Sequence, residues 1–172
     1  MTSVREGSFY GWPWSYFGPN VDARVKPERP DMVKKAIAPD FALGSHTASL
    51  GLVFYKASAF RDRYRGGMFI GQHGSWNRTE FSGYKVVFVP FKNGLPAQPV
   101  EDFLTGFLAD PKSGRTYGRP VGVAVDRTGA LLVAEGQVAT ERVTERGGEV
   151  LPQGEVTGGG ALPHGNGLRP PL

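Results

Sequence analysis

The sequence predicts an all-β fold built from antiparallel strand units. Three observations carry that expectation: many glycines and prolines, short β-branched and aromatic runs between them, and a repeated strand–turn–strand pattern. The 172 residues include 25 glycines and 14 prolines, well above average usage, which implies numerous tight connections. A chain of this length is one ordinary domain or a piece of a larger one. At 40% hydrophobic and 21% charged it reads as globular.

Residues 1–47 hold few regular signals. GWPWSYFGPN is turn-rich and aromatic, VKPERPD carries two prolines that oppose helix, and DMVKKAIA can form a short helical turn. Regularity begins at Ala48. LGLVFY (50–55), GMFIGQ (67–72), YKVVFVPF (84–91) and VEDFLTGF (100–107) read as four successive strands. The interleaved Val and Phe of YKVVFVPF suggest a strand packed on both faces. PVGVAV (120–125) and ALLVAE (130–135) form a further hairpin, and LGLVFY…GGMFIGQHG resembles VGVAVD-RTG-ALLVAEG in layout. Periodic hairpins of this kind suggest a solenoid or a β-propeller. A propeller blade is a four-stranded meander, which 48–107 supplies in full and 120–135 in half. From about Gly147 the chain is Gly/Pro-rich and nearly without apolar periodicity, so disorder is expected over 147–172 and a single domain over 1–146.

Several function classes lack support. With no cysteine, disulfides, thiolate metal sites and thiol nucleophiles are excluded. No apolar run approaches the roughly 20 residues of a membrane helix, and MTSVREGSFYGWPW lacks the continuous apolar segment of a secretory signal. The net charge of +4 suits an anionic ligand only weakly, and charge of this size is more often solvated surface. No continuous basic patch with interleaved aromatics points to nucleic acid, and no nucleotide-binding or nucleophile-elbow motif occurs. The three histidines, His46, His73 and His164, have no zinc spacing.

In an antiparallel meander, successive connections alternate between the two strand ends. On that count LGSHTA, HGSWNRTEFSG and LADPKSGRTYGRP share one rim, bringing together His46, His73, Trp76, Asn77, Arg78, Tyr117 and Arg119. The opposite end holds ordinary turns and the charged turn Arg61-Asp62-Arg63. Each rim group also has a plain structural reading: tryptophan covering a core edge, histidine as packing, Asn77-Arg78-Thr79 as a sequon relevant only to a secreted eukaryotic protein. HGSWNR is thus either a bulky turn or part of a site.

YGWP (10–13), LGSHTASLGLVFY (43–55), YRGGMFIGQHGSWNR (64–78), GYKVVFVPF (83–91), DFLTGFL (102–108) and GRPVGVAVDRTGALLVAE (118–135) together resemble the sugar dehydrogenases that depend on pyrroloquinoline quinone (PQQ). The likeness is to the sorbosone dehydrogenase-like branch and covers about residues 6–135. It implies a six-bladed β-propeller, of which this chain would form about one and a half to two and a half blades. It also implies PQQ and calcium as cofactors, a sugar or sugar-aldehyde substrate, a separate electron acceptor and a periplasmic or extracellular location. Without a signal peptide, the chain as it stands would be cytoplasmic. By the resemblance, Arg119 and Arg78 supply cations for the cofactor's carboxylates, and His46, His73 and Asn77 occupy neighbouring cofactor-binding positions. A six-bladed propeller at roughly 40–50 residues per blade needs about twice this length. The family's base and most calcium ligands belong to blades absent from this sequence, so no catalytic residue and no metal ligand is assigned. After Ala134 the family pattern gives way to EGQVATERVTERGGEV. The expectation is a C-terminal portion of a quinoprotein oxidoreductase, inactive alone and paired with a chain supplying the missing blades. The alternative is a non-enzymatic partial propeller that binds carbohydrate, a polyanion or a partner chain.

Overall fold

The computed structural model describes residues 1–97, 100–136, 140–146 and 149–156. Where the sequence suggests one domain over 1–146, the chain forms two compact units, Met1–Leu43 and Gly44–Leu172.

In the first unit, β1 (Ser15–Tyr16) pairs antiparallel with β2 (Asn20–Val21). The expected helical turn is α1 (Pro30–Val33), with proline at its start, where its missing N–H costs nothing. Arg29 flanks this turn, stacked 5.3 Å over the Trp14 ring and paired with Asp31 at 2.7 Å. Asp22 pairs with Arg24 at 2.6 Å, and that hydrogen-bonded guanidinium holds its carboxyl down to about 2.

The second unit is built on two four-stranded antiparallel meanders. The first has the order β3 (Ser49–Phe54), β4 (Met68–Gln72), β5 (Lys85–Val89), β8 (Glu101–Leu104). Between β5 and β8 the chain makes a small ribbon of β6 (Phe91–Lys92) and β7 (Leu95–Pro96). A second ribbon, β9 (Leu108–Asp110) with β10 (Arg115–Thr116), precedes the next sheet. That sheet runs β11 (Pro120–Val125), β12 (Leu131–Glu135), β13 (Thr140–Arg146), β14 (Glu149–Val156). The four strands read between 48 and 107 are present, and β5 is buried along nearly its whole length, as an internal strand with two covered faces requires.

One expectation is corrected. The second sheet does not stop after β12, because 140–146 and 149–156 complete it, and the reading of disorder from Gly147 fails for 149–156. TERVTER and EVLPQGEV lack apolar alternation, but β13 is laddered on both sides, to β12 and to β14, and those hydrogen bonds order both strands. The remainder of the expected disordered tail, 157–172 with His164, lies outside the described residues.

The core lies between the sheets. Tyr55, Phe60, Tyr64, Phe69, Phe88 and Phe103 form an aromatic cluster with Leu104, Leu131, Val133 and Val143. The Phe69 and Phe103 rings sit 4.3 Å apart, and Tyr64 meets Phe88 edge-on at 4.9 Å. Burying each such ring stabilises the fold by about 1.5–3 kcal/mol. The 3₁₀ turn Asp62–Tyr64 swings Tyr64 into this cluster. The Tyr55 hydroxyl donates to Gly129 O at 2.9 Å and accepts from Phe60 N–H at 2.9 Å, so this buried polar atom is satisfied. Among the described residues no helix is long and apolar enough to cross a membrane.

The inner strands β3 and β11 approach backbone to backbone. A Cβ at Gly51 would fall 2.5 Å from Val121 O and 2.8 Å from Gly122 Cα, whereas one at Gly122 would meet nothing closer than Ala134 Cβ at 3.6 Å. Gly51→Ala is therefore expected to destabilise the chain by about 2 kcal/mol or more. Gly122→Ala should change stability by less than about 1 kcal/mol. Urea unfolding midpoints of the two variants test this contrast.

Candidate functional site

Strand parity gathers the rim. β3 begins and β5 begins where β4 ends, with Ser49 and Lys85 both opposite Gln72. Pro120 opens β11 opposite Glu135, the last residue of β12. The lead-in 44–48, the loop 73–84 and the segment before β11 therefore open at the same end of their strands, as alternation in a meander dictates.

The loop after β4 is fastened to the lead-in through its backbone. His73 N–H donates to Ala48 O at 3.0 Å, Gly74 N–H to Thr47 O at 2.9 Å and Ser75 N–H to Ser82 O at 2.9 Å. Gly74 lies at φ +92°, and a Cβ there would fall 2.5 Å from the Tyr84 ring. Only glycine lets the ring close onto this turn.

Arg119 grips the same turn from the other sheet. Its Nε donates to His73 O at 2.9 Å, and its Nη2 donates to Gly74 O at 2.8 Å and to Ser75 O at 3.4 Å. The guanidinium lies 5.2 Å over the Tyr84 ring, and the Tyr84 hydroxyl donates to Ser75 O. A planar fork of N–H donors suits this cluster of carbonyls in a way a lysine ammonium does not. The third nitrogen, Nη1, makes no hydrogen bond to a described residue. The family resemblance marks Arg119 as a cofactor cation; in the structure its Nε and Nη2 donate to backbone carbonyls of residues 73–75.

His73 interlocks with that arrangement. Its Nδ1 is buried and has no hydrogen-bond partner among the described residues. A Cβ on Gly136 would lie 3.4 Å from the imidazole Cε1, so the bare glycine closes over the ring. Burial lowers the His73 pKa from its ordinary 6.5 and the Arg119 charge lowers it further, against the backbone carbonyls of Arg119 and Pro120, which accept from the ring and favour its protonated form. The net effect favours the neutral imidazole.

Arg78 is exposed, and its Nη1 donates to Ser45 O at 3.0 Å and Ser45 Oγ at 2.7 Å. Ser82 Oγ donates to the same carbonyl at 3.1 Å. This places Arg78 beside the exposed His46, which sits at φ +58°. Asn77 is exposed and Trp76 is 80% exposed, neither engaged with the core. The structure thus ties His73 to Arg119 and Arg78 to the His46 segment, and leaves His46 and Asn77 open at the surface. Tyr84 and Ser45 were not singled out from sequence. A tyrosine entering a buried strand carries a hydroxyl that must find a partner, and that was the available signal. Among the described residues no group of three or more His, Asp or Glu side chains gathers as around a metal.

Two antiparallel four-stranded sheets stacked through their inner strands, with such a rim, define a piece of an all-β propeller. The profile of a family described as TrAA12-like matches residues 26–142, and the chain belongs to that family. Among solved structures, the calcium structure of a Trichoderma reesei carbohydrate-active enzyme of family AA12 matches with a TM-score of 0.58 and 21% identity. That match covers 75% of this chain and 36% of the enzyme. The holo PQQ domain of pyranose dehydrogenase from Coprinopsis cinerea matches with a TM-score of 0.53 and 23% identity, covering 74% of this chain and 38% of that domain. An uncharacterized protein of Borreliella burgdorferi is 32% identical over 136 residues, which is 78% of this chain and 35% of that protein. The chain thus spans little more than a third of the length of these relatives.

The His73 geometry has a pH consequence. The unfolded chain takes up the imidazole proton first, so the stabilising contribution of His73 is full above about 6.5 and is lost as pH falls through the lower folded value. Imidazole NMR should show His73 titrating below 6.5 and moving up toward that value in Arg119→Gln. A native midpoint at or above 6.5 contradicts the assignment.

Proposed function

We propose that this chain forms one part of the PQQ-holding site of a sugar oxidoreductase, in the glucose and sorbosone dehydrogenase group. The observation that carries the reading is the His73–Arg119 interlock: a buried imidazole nitrogen with no partner among the described residues, beside a guanidinium whose Nη1 bonds to none of them. A rigid dianion or trianion needs fixed cationic donors, and a guanidinium already braced by carbonyls gives up little freedom when it takes a carboxylate oxygen. Arg78, exposed and anchored at one nitrogen on Ser45, supplies a second positive charge on the loop. His46 and Asn77 present open polar groups beside it.

Bound PQQ would supply a quinone that takes two electrons from a sugar carbinol or hydrated aldehyde and passes them to a separate acceptor. The role assigned to these residues is to bind and orient, with the base that takes the substrate proton supplied by other parts of the propeller. Calcium, which the family likeness implies, would be coordinated by other parts of the propeller. A periplasmic or extracellular setting accords with this chemistry.

A second reading, a non-catalytic module that docks on another polypeptide, is favoured by one feature. Leu50, Leu52 and Phe54 stand 54%, 52% and 43% exposed on one face of β3, a row that a further sheet would cover.

Titration of PQQ into the chain, with and without calcium, tests the leading reading. Weak binding is expected, reduced about tenfold by Arg78→Ala and by Arg119→Ala, the value of one exposed charge-assisted contact. Affinity unchanged in both variants contradicts it. Dye reduction with glucose or sorbosone by this chain alone would contradict the assignment of the base to other parts of the propeller.

A further inference from the structure

We propose that Tyr84 and Arg119 act as the positioning pair of the rim, fixing the carbonyls of His73, Gly74 and Ser75 so that the imidazole and Arg119 Nη1 meet a carboxylate-bearing ligand in one geometry. This rests on the reading of the rim as a PQQ site.

Tyr84 cannot touch such a ligand. It is 5% exposed, and its ring is stacked against the guanidinium while its hydroxyl is committed to Ser75 O. Everything it does passes through its neighbours. The ring face sets the plane of the guanidinium, and a planar cation so constrained can point its Nε and Nη2 donors at His73 O and Gly74 O in only one way. The hydroxyl supplies Ser75 O with a donor, since Arg119 reaches that atom only at 3.4 Å.

Removing either member leaves converging carbonyls short of donors inside a turn whose N–H groups are already spent on Thr47 and Ser82. Tyr84 also lies at φ +58°, a backbone state rare for a bulky residue, which persists where surrounding contacts over-determine it. The ring fits because residue 74 is glycine. Gly74, Tyr84 and Arg119 therefore form one built arrangement that ends at His73.

Three variants, Tyr84→Phe, Arg119→Lys and the double, measured in the full chain, test the proposal. Amide exchange in the ligand-free chain should speed up about tenfold at Gly74 and Ser75 in Tyr84→Phe, with Val87 and Val133 unchanged. The PQQ Kd should rise about fivefold in each single variant and no further in the double, because the pair acts as a unit. Arg119→Lys keeps the charge, so a purely electrostatic role would leave its Kd near wild type. The proposal is overturned if Tyr84→Phe leaves exchange at 74 and 75 unchanged, or if the two substitutions multiply in Kd. Should the wild-type chain bind no PQQ, the cofactor reading fails and the exchange result alone decides the positioning claim. Should Tyr84→Phe not fold, Arg119→Lys carries both measurements.

Discussion

The arrangement of the rim depends on one interaction: the Arg119 guanidinium held against the carbonyls of residues 73–75. The arginine opens the second sheet and the carbonyls close a strand of the first, so this contact joins the two sheets at the end where the candidate site lies. A part-buried cation facing backbone oxygens resolves two problems together. The carbonyls of a turn with no ladder partner gain donors, and the charge gains acceptors without a carboxylate. His73 bears part of the cost: burial lowers its pKa, and the Arg119 charge lowers it further.

The contact is possible only because the sheets approach so closely. Gly51 brings the backbone of β3 against that of β11 at Val121 and Gly122, and the aromatic cluster behind it fills the widening space between the sheets. A side chain at Gly51 would overlap the backbone of Val121 and Gly122 and force the two strands apart. Stability and site geometry are therefore set by the same glycine-lined seam. Its loss should be felt in ligand binding before the outer strands notice it.

Much of the fold was legible in the sequence because β3, β4, β5, β11 and β12 carry apolar or β-branched residues at strand spacing and lie between glycines. β13 and β14 were not legible, since a polar strand such as TERVTER takes its order from the neighbours it ladders with, which sequence periodicity does not register. The short ribbons β6–β7 and β9–β10 were missed because two or three residues do not make a pattern. The first unit has little regular structure to read. For the site, meander parity alone put His46, His73, Arg78 and Arg119 on one rim. The partner of Arg119 stayed hidden because carbonyl acceptors belong to every residue and leave no mark in the sequence. Tyr84 looked like the first residue of a strand, and only the three-dimensional packing over Gly74 shows its second task.

The most direct measurement is a crystal structure of the chain with PQQ bound. The account predicts the guanidinium of Arg119 still seated on the carbonyls of His73 and Gly74, with a cofactor carboxylate at Nη1 and Tyr84 unmoved beneath. A guanidinium swung off those carbonyls to face the ligand, or a cofactor lodged away from residues 73–78 and 119, would contradict it.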